Sequence, residues 1–97
     1  MVTSGPGAQN LITGIATSWF DSIPTINICG QVNSNDFLKS KKNYPVRQRG
    51  FQETDIVSIS KPITKFSYRL KNPNEIVKIL NFAYETAIEG RPGPVLL

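Results

Sequence analysis

The chain has 97 residues, 39% hydrophobic and 19% charged, with eleven Lys and Arg against seven Asp and Glu for a formal charge of +4. That length suits one domain with a modest core and excludes two. Histidine is absent and Cys29 is the single cysteine, which excludes a Ser-His-Asp triad, a Cys-His dyad, an HExxH zinc site, an internal disulfide and a cysteine-cluster metal site within this chain. Apolar runs are too short to span a bilayer and no secretory pattern opens the sequence. A reduced cytoplasmic setting with no membrane partner is the expectation.

Gly5-Pro6-Gly7 reads as a sharp turn, because proline fixes φ and glycine permits tight paths. Leu11, Ile12, Ile15, Ala16, Trp19 and Phe20 then recur at helical spacing, predicting a helix over 8–20 with Trp19 in the core. Gly14 is either its weak point or a close-packing site. Asp21-Ser22-Ile23-Pro24 ends it. Thr25 to Cys29 is a short β-prone run closed by Gly30, in which Cys29 reads as a small buried hydrophobe. The stretch 33–50 has no periodicity and reads as a long loop, which in a small domain is usually functional or mobile.

A short helix is predicted over 51–60, with Ile56, Val57 and Ile59 facing inward, before Lys61-Pro62 breaks it. Thr64 to Leu70 alternates polar with apolar residues, as a strand does. Asn72 is a good N-cap, Pro73 suits the first helical position and Glu75 the positive helix end. Ile76, Ile79, Leu80, Ala83, Tyr84 and Ala87 form the apolar stripe of a final helix, and Gly90 stops it. Val95-Leu96-Leu97 reads as a buried strand.

Five of the eleven basic residues fall in one run, Lys39, Lys41, Lys42, Arg47 and Arg49. A solvated loop is the favoured reading of such a run, with anion attraction second. Only Phe37 and Tyr44 lie among these charges, too few aromatics for a nucleic-acid surface, so nucleic acid is disfavoured as a partner. Helices alternating with strands imply an α/β fold, a parallel sheet flanked by helices. Val2-Thr3-Ser4 resembles the tail of a strand, and the chain stops inside another at Leu97. The expectation is one partial domain over 1–97, truncated at both ends.

The motifs Thr3-Ser4-Gly5-Pro6-Gly7-Ala8, Asn10-Leu11, Thr13-Gly14-Ile15-Ala16, Asp21-Ser22-Ile23-Pro24, Gly30-Gln31-Val32, Phe51-Gln52-Glu53, Pro62-Ile63-Thr64-Lys65 and Gly90-Arg91-Pro92-Gly93-Pro94-Val95 follow in order. Together they resemble the second half of the N-terminal, pyrimidine-binding domain of thiamine-diphosphate enzymes of the acetolactate synthase type. The resemblance implies a transferase that decarboxylates a 2-keto acid such as pyruvate and joins the remaining carbons to a second carbonyl. It implies thiamine diphosphate as coenzyme, with Mg2+ held by a domain absent from this chain, and FAD in some relatives. It also implies a homo-oligomer, dimer or tetramer, in which two chains build each site.

By the same resemblance, Pro6, Gly7 and Asn10 match cofactor-binding positions beside the aminopyrimidine ring. Gln52 matches the catalytic glutamine, which points toward coenzyme and substrate. Gln31 and Phe51 match the pocket wall. Taken singly, each has a plainer explanation: Gly5-Pro6-Gly7 as a strand-to-helix turn, Asn10 and Gln52 as solvated amides, Phe51 as core. Glu53 and Asp55 make a tempting carboxylate pair, but residues two apart need not face one another. The family's essential glutamate lies upstream of the Gly-Pro-Gly turn, beyond this chain. The loop from Gln31 to Phe51 is longer than usual, with Asn33 where those enzymes carry proline, which leaves the substrates open. Two alternatives stand beside the enzyme reading: a non-catalytic remnant or interaction module, and, less favoured, a small basic nucleic-acid-binding domain.

Overall fold

The computed structural model describes residues 1–36 and 47–97. Phe37, Lys39, Lys41, Lys42, Tyr44 and most of the expected long loop lie outside the described residues.

The first helix, α1, spans Pro6–Phe20 and so starts before the expected Ala8. Proline is suited to the opening turn because it has no N–H to leave unpaired and its φ is already helical. Gly5 is the N-cap, at φ 59° and ψ −123°. Strand β1 is Ile26–Asn27, helix α2 is Ile56–Ser60 with a 3-10 turn over Lys61–Ile63, and strand β2 is Phe66–Ser67. A 3-10 turn over Pro73–Glu75 leads into helix α3, Ile76–Ile88, and strand β3 is Val95–Leu96. As expected, Asn72 caps the entry to this last helical segment, its side chain accepting from the Asn74 N–H at 3.0 Å. Gly90 follows the helix in the left-handed region, at φ 58°.

The strands lie in the order β1-β3-β2, all parallel, with Ile26 and Phe66 both in register with Val95. Hydrogen bonding runs beyond the short strands: the Cys29 N–H donates to the Leu97 carbonyl and the Tyr68 N–H to the Leu96 carbonyl. Val2 forms an isolated parallel bridge with Cys29, so the strand character read at Val2 is real.

Successive residues of a strand face opposite sides, and β3 uses both. Leu96, fully buried, packs with Ala8 and Ile15 of α1 and Ile56 of α2. Val95, also fully buried, packs with Ala83 and Ala87 of α3. The result is three layers, with α1 and α2 on one face and α3 on the other. This double burial explains why Val95-Leu96-Leu97 is an unbroken apolar run.

Several expectations need correction. The helix read over 51–60 exists only as Ile56–Ser60; residues 51–55 form a turn and a cap. Ile59 points outward, at 48% exposure. Trp19 is not core but 37% exposed, and Tyr84 and Ile76 stand at the exposed margin of the α3 stripe. The small residues Ala83 and Ala87 make the closest approach to the sheet, leaving the larger neighbours at the rim. Cys29 is half-buried rather than buried. The strand read over 64–70 is regular only at Phe66–Ser67.

Gly14 is not a packing site, because a Cβ there would meet nothing within 4 Å. Gly14→Ala is therefore expected to stabilise the chain by about 0.5–1 kcal/mol, the usual helix-interior difference. Urea unfolding would show this as a higher midpoint with an unchanged slope.

Candidate functional site

Three segments meet at the carboxyl edge of the parallel sheet, where open α/β sheets place their ligands. The Val2 N–H donates to the Ile28 carbonyl at 2.9 Å, and the Gly30 N–H donates to the Val2 carbonyl at 2.9 Å. The segment from Val2 runs on through Thr3 and Ser4 into α1, while β1 runs on into Gly30, Gln31 and Val32. The third segment is the turn from Gly50 to Thr54, which arrives over both.

That turn is closed by the Glu53 N–H donating to the Gly50 carbonyl at 3.1 Å. Its third residue, Gln52, has φ 56°, a left-handed conformation that such turns normally give to glycine or asparagine. A side chain there is uncommon, and strained residues of this kind gather at functional sites. Phe51, at the tip, is 81% exposed. One Glu53 carboxylate oxygen accepts from the Arg49 N–H at 2.8 Å and the Gly50 N–H at 3.3 Å. Asp55 serves α2 instead, accepting from the Ser58 N–H at 3.2 Å and the Ser58 hydroxyl at 2.6 Å. Each carboxylate thus caps its own stretch of backbone, and the two do not act as a pair.

Gly5 presses against this turn. An added Cβ on Gly5 would sit 2.6 Å from the Gln52 carbonyl oxygen and 2.7 Å from its Cβ. On Gly7 it would sit 2.7 Å from the Thr3 methyl. Both glycines therefore answer to packing inside the chain. Beside them, Pro6 and Asn10 are exposed on the first turns of α1, and Gln52 is exposed opposite. Gln9 bridges the two parts, its side-chain amide donating to the Thr54 hydroxyl at 3.3 Å.

Gln31 is half-buried, and both ends of its amide are occupied. Its Nε2 donates to the Thr54 carbonyl at 2.8 Å, and its Oε1 accepts from the Val32 N–H at 2.9 Å. It borders an apolar groove of about 200 Å³ at the ends of the strands, together with Cys29, Gly30, Tyr68 and Leu97. Burial pushes the Cys29 thiol up from its ordinary value, keeping it protonated and poorly nucleophilic at neutral pH. A larger cavity of about 480 Å³, lined by Trp19, Phe20, Lys65 and Arg91, opens at the opposite edge of the sheet.

The structure thus brings Pro6, Gly7, Gln31, Phe51 and Gln52 to one edge, with Asn10 a turn along α1. The sequence places Gly5 in the Gly-Pro-Gly turn but does not show it or Glu53 supporting the Gly50–Thr54 turn, nor does it mark Gln9 and Thr54. Their partners lie far along the chain or depend on the turn itself, so no spacing signal marks them.

Gly50 is buried against Val32, where a Cβ would come within 2.7 Å of that side chain. Gly50→Ala is expected to destabilise by about 1–3 kcal/mol, as overpacking does. Adding Val32→Ala should return more than half of that loss, a coupling that a double-mutant cycle in urea would measure.

Comparison with known proteins gives a concordant result. Residues 1–59 match the family described as thiamine pyrophosphate enzyme, N-terminal TPP binding domain. The whole chain aligns at 43% identity with an acetolactate synthase of Arthrospira platensis and with the acetolactate synthase isozyme 3 large subunit of Escherichia coli, covering 15% of each. It aligns at 45% identity with the acetolactate synthase large subunit of Buchnera aphidicola from Schizaphis graminum, again covering 15%. The chain therefore spans about 15% of the length of these curated relatives. The matched segment holds α1, β1, the Gly50–Thr54 turn and nearly all of α2, the same elements that build the carboxyl edge, and by this match the chain belongs to the thiamine pyrophosphate enzymes through their N-terminal TPP-binding domain.

Proposed function

We propose that this chain supplies the aminopyrimidine-facing wall of a thiamine-diphosphate-dependent enzyme of the acetolactate synthase type, acting on pyruvate or a close 2-keto acid. The observation that carries the reading is the contact of Gly5 with Gln52. Two motifs far apart in sequence meet at the edge of the sheet where a ligand belongs, and Gln52 is held there in an unfavourable backbone conformation.

The exposed groups at this edge fit a flat, polar-edged ring. Pro6 and Phe51 offer apolar surface, while the Asn10 and Gln52 amides can each donate and accept. The described residues bring together no group of three His, Cys, Asp or Glu able to hold a metal, and we assign Mg2+ and the diphosphate to other parts of the protein. When bound, the coenzyme supplies the carbon–carbon bond chemistry; the protein orients and shields it. In this reading Asn10 and Gln52 orient the ring and its substrate by hydrogen bonds. Phe51 excludes water from the pocket mouth. Pairing of chains into a dimer or tetramer completes the site, and FAD, if bound, lies outside these residues.

The test is a graft. Residues 1–97 replace the aligned segment of the Escherichia coli large subunit, and coenzyme-dependent pyruvate consumption is measured. Retained consumption that falls at least tenfold with Gln52→Ala supports the reading. A folded, oligomeric graft that binds coenzyme but consumes no pyruvate, or that is indifferent to Gln52→Ala, overturns it.

A further inference from the structure

We propose that Glu53 and Gln31 are positioning residues whose side chains clamp the Gly50–Thr54 turn and so set the conformation of Gln52. The inference rests on the coenzyme reading only for what Gln52 touches; the clamp itself lies wholly within the described residues.

A left-handed φ on a residue that is not glycine persists only where its surroundings over-determine it. Gln52 is held from three directions. From below, Gly5 lies so close that a methyl group would strike the Gln52 carbonyl. At the start of the turn, Glu53 gathers the Arg49 and Gly50 N–H groups on one carboxylate oxygen, and Gly50 is seated against Val32. At its end, Gln31 holds the Thr54 carbonyl while its own oxygen accepts from Val32 N–H. Val32 is thus gripped by Gln31 and also supports Gly50, so the end of β1 fixes both ends of the turn. Hydrogen bonds to an ionised carboxylate are stronger than those between neutral groups, which suits Glu53 to hold a strained turn at an exposed edge. Neither Glu53 nor Gln31 needs to touch a ligand in this role; each acts through Gln52.

The test needs no ligand. Amide hydrogen exchange is followed on the 15N-labelled chain at Arg49, Gly50 and Val32, with Ala83 in α3 as a control for the rest of the fold. Glu53→Ala should speed exchange at Arg49 and Gly50 about tenfold, the loss of roughly one net hydrogen bond, and leave Ala83 unchanged. Glu53→Gln, which keeps an acceptor oxygen, should restore most of the protection. Gln31→Ala should do to Val32 what Glu53→Ala does to Gly50. The second readout is Gln52→Gly, which should raise the urea midpoint by releasing the left-handed strain and should raise it less in the Glu53→Ala background, where the turn is already free to relax. Equal exchange at Arg49 and Gly50 in wild type and Glu53→Ala, beside a protected Ala83, overturns the proposal. So does a Gln52→Gly gain that is the same in both backgrounds. A graft that consumes no pyruvate while these amides stay protected sinks the coenzyme reading and supports the clamp.

Discussion

Replacing Gly5 with alanine is expected to cost on the order of 3 kcal/mol, the combined result of an unfavourable backbone conformation and a steric clash. Gly5 sits at φ 59° and ψ −123°, a conformation that glycine enters freely and alanine does not. The alanine methyl would also lie 2.6 Å from the Gln52 carbonyl oxygen, which is backbone and cannot swing aside. For a domain of this size that loss should lower the melting temperature by more than about 10 °C. Gln52→Gly in the Gly5→Ala background removes the Cβ that the methyl would also strike, but not the carbonyl. The double variant should therefore recover only part of the loss. Thermal unfolding followed by circular dichroism measures both. A Gly5→Ala chain within 1 °C of wild type would show that the turn at Gly50–Thr54 does not rest on α1.

Leu96→Ala is expected to destabilise by about 2–5 kcal/mol, the range for deleting a buried leucine side chain. Leu96 has no exposure and joins α1, α2 and β3 in one cluster. The surroundings of a buried site relax only in part, so the loss includes the cavity left behind as well as the side chain's own transfer. Leu96→Met keeps the volume and should cost less than about 1.5 kcal/mol. Urea midpoints of the two variants separate cavity formation from any general sensitivity of β3. Equal losses would place the cause in the strand backbone rather than in the packing of Leu96.

The order of elements was legible because it depends on local patterns. The Asn72-Pro73 entry to α3, the Gly90 stop and the buried Val95-Leu96 run are each set by residues a few positions apart. What the sequence hid depends on contacts between distant segments. Residues 51–55 have the composition of a helix start, yet Glu53 turns its carboxylate back to Arg49 and Gly50, and the chain bends instead of coiling. Nothing local marks Gln52 as left-handed, since glutamine is not a usual occupant of that conformation. Trp19 belongs to the same helix as the buried Ile15, but the sheet it faces is narrow and the tryptophan reaches its margin. In the site, the family motifs brought Pro6, Gly7, Asn10, Gln31, Phe51 and Gln52 into view. They did not show that Gln31 has both ends of its amide engaged by the neighbouring backbone, or that Gly5 packs on Gln52.

The strand order has a consequence for how this chain comes into being. Among the described residues β1 and β2 do not pair with one another; each pairs with β3, whose residues, Val95 and Leu96, follow both in the sequence. During synthesis, α1, β1, α2, β2 and α3 all leave the ribosome before any two of the three strands can join. A nascent chain halted at Pro94 holds α1, α2 and α3 and none of the β1-β3-β2 pairing. The pairing of these strands is therefore late by topology, with the closure of long loops deferred until β3. Until that strand emerges, α1 lacks Leu96 and α3 lacks Val95, the fully buried strand residues each packs on, and in this interval the growing chain is more exposed to chaperones and to aggregation.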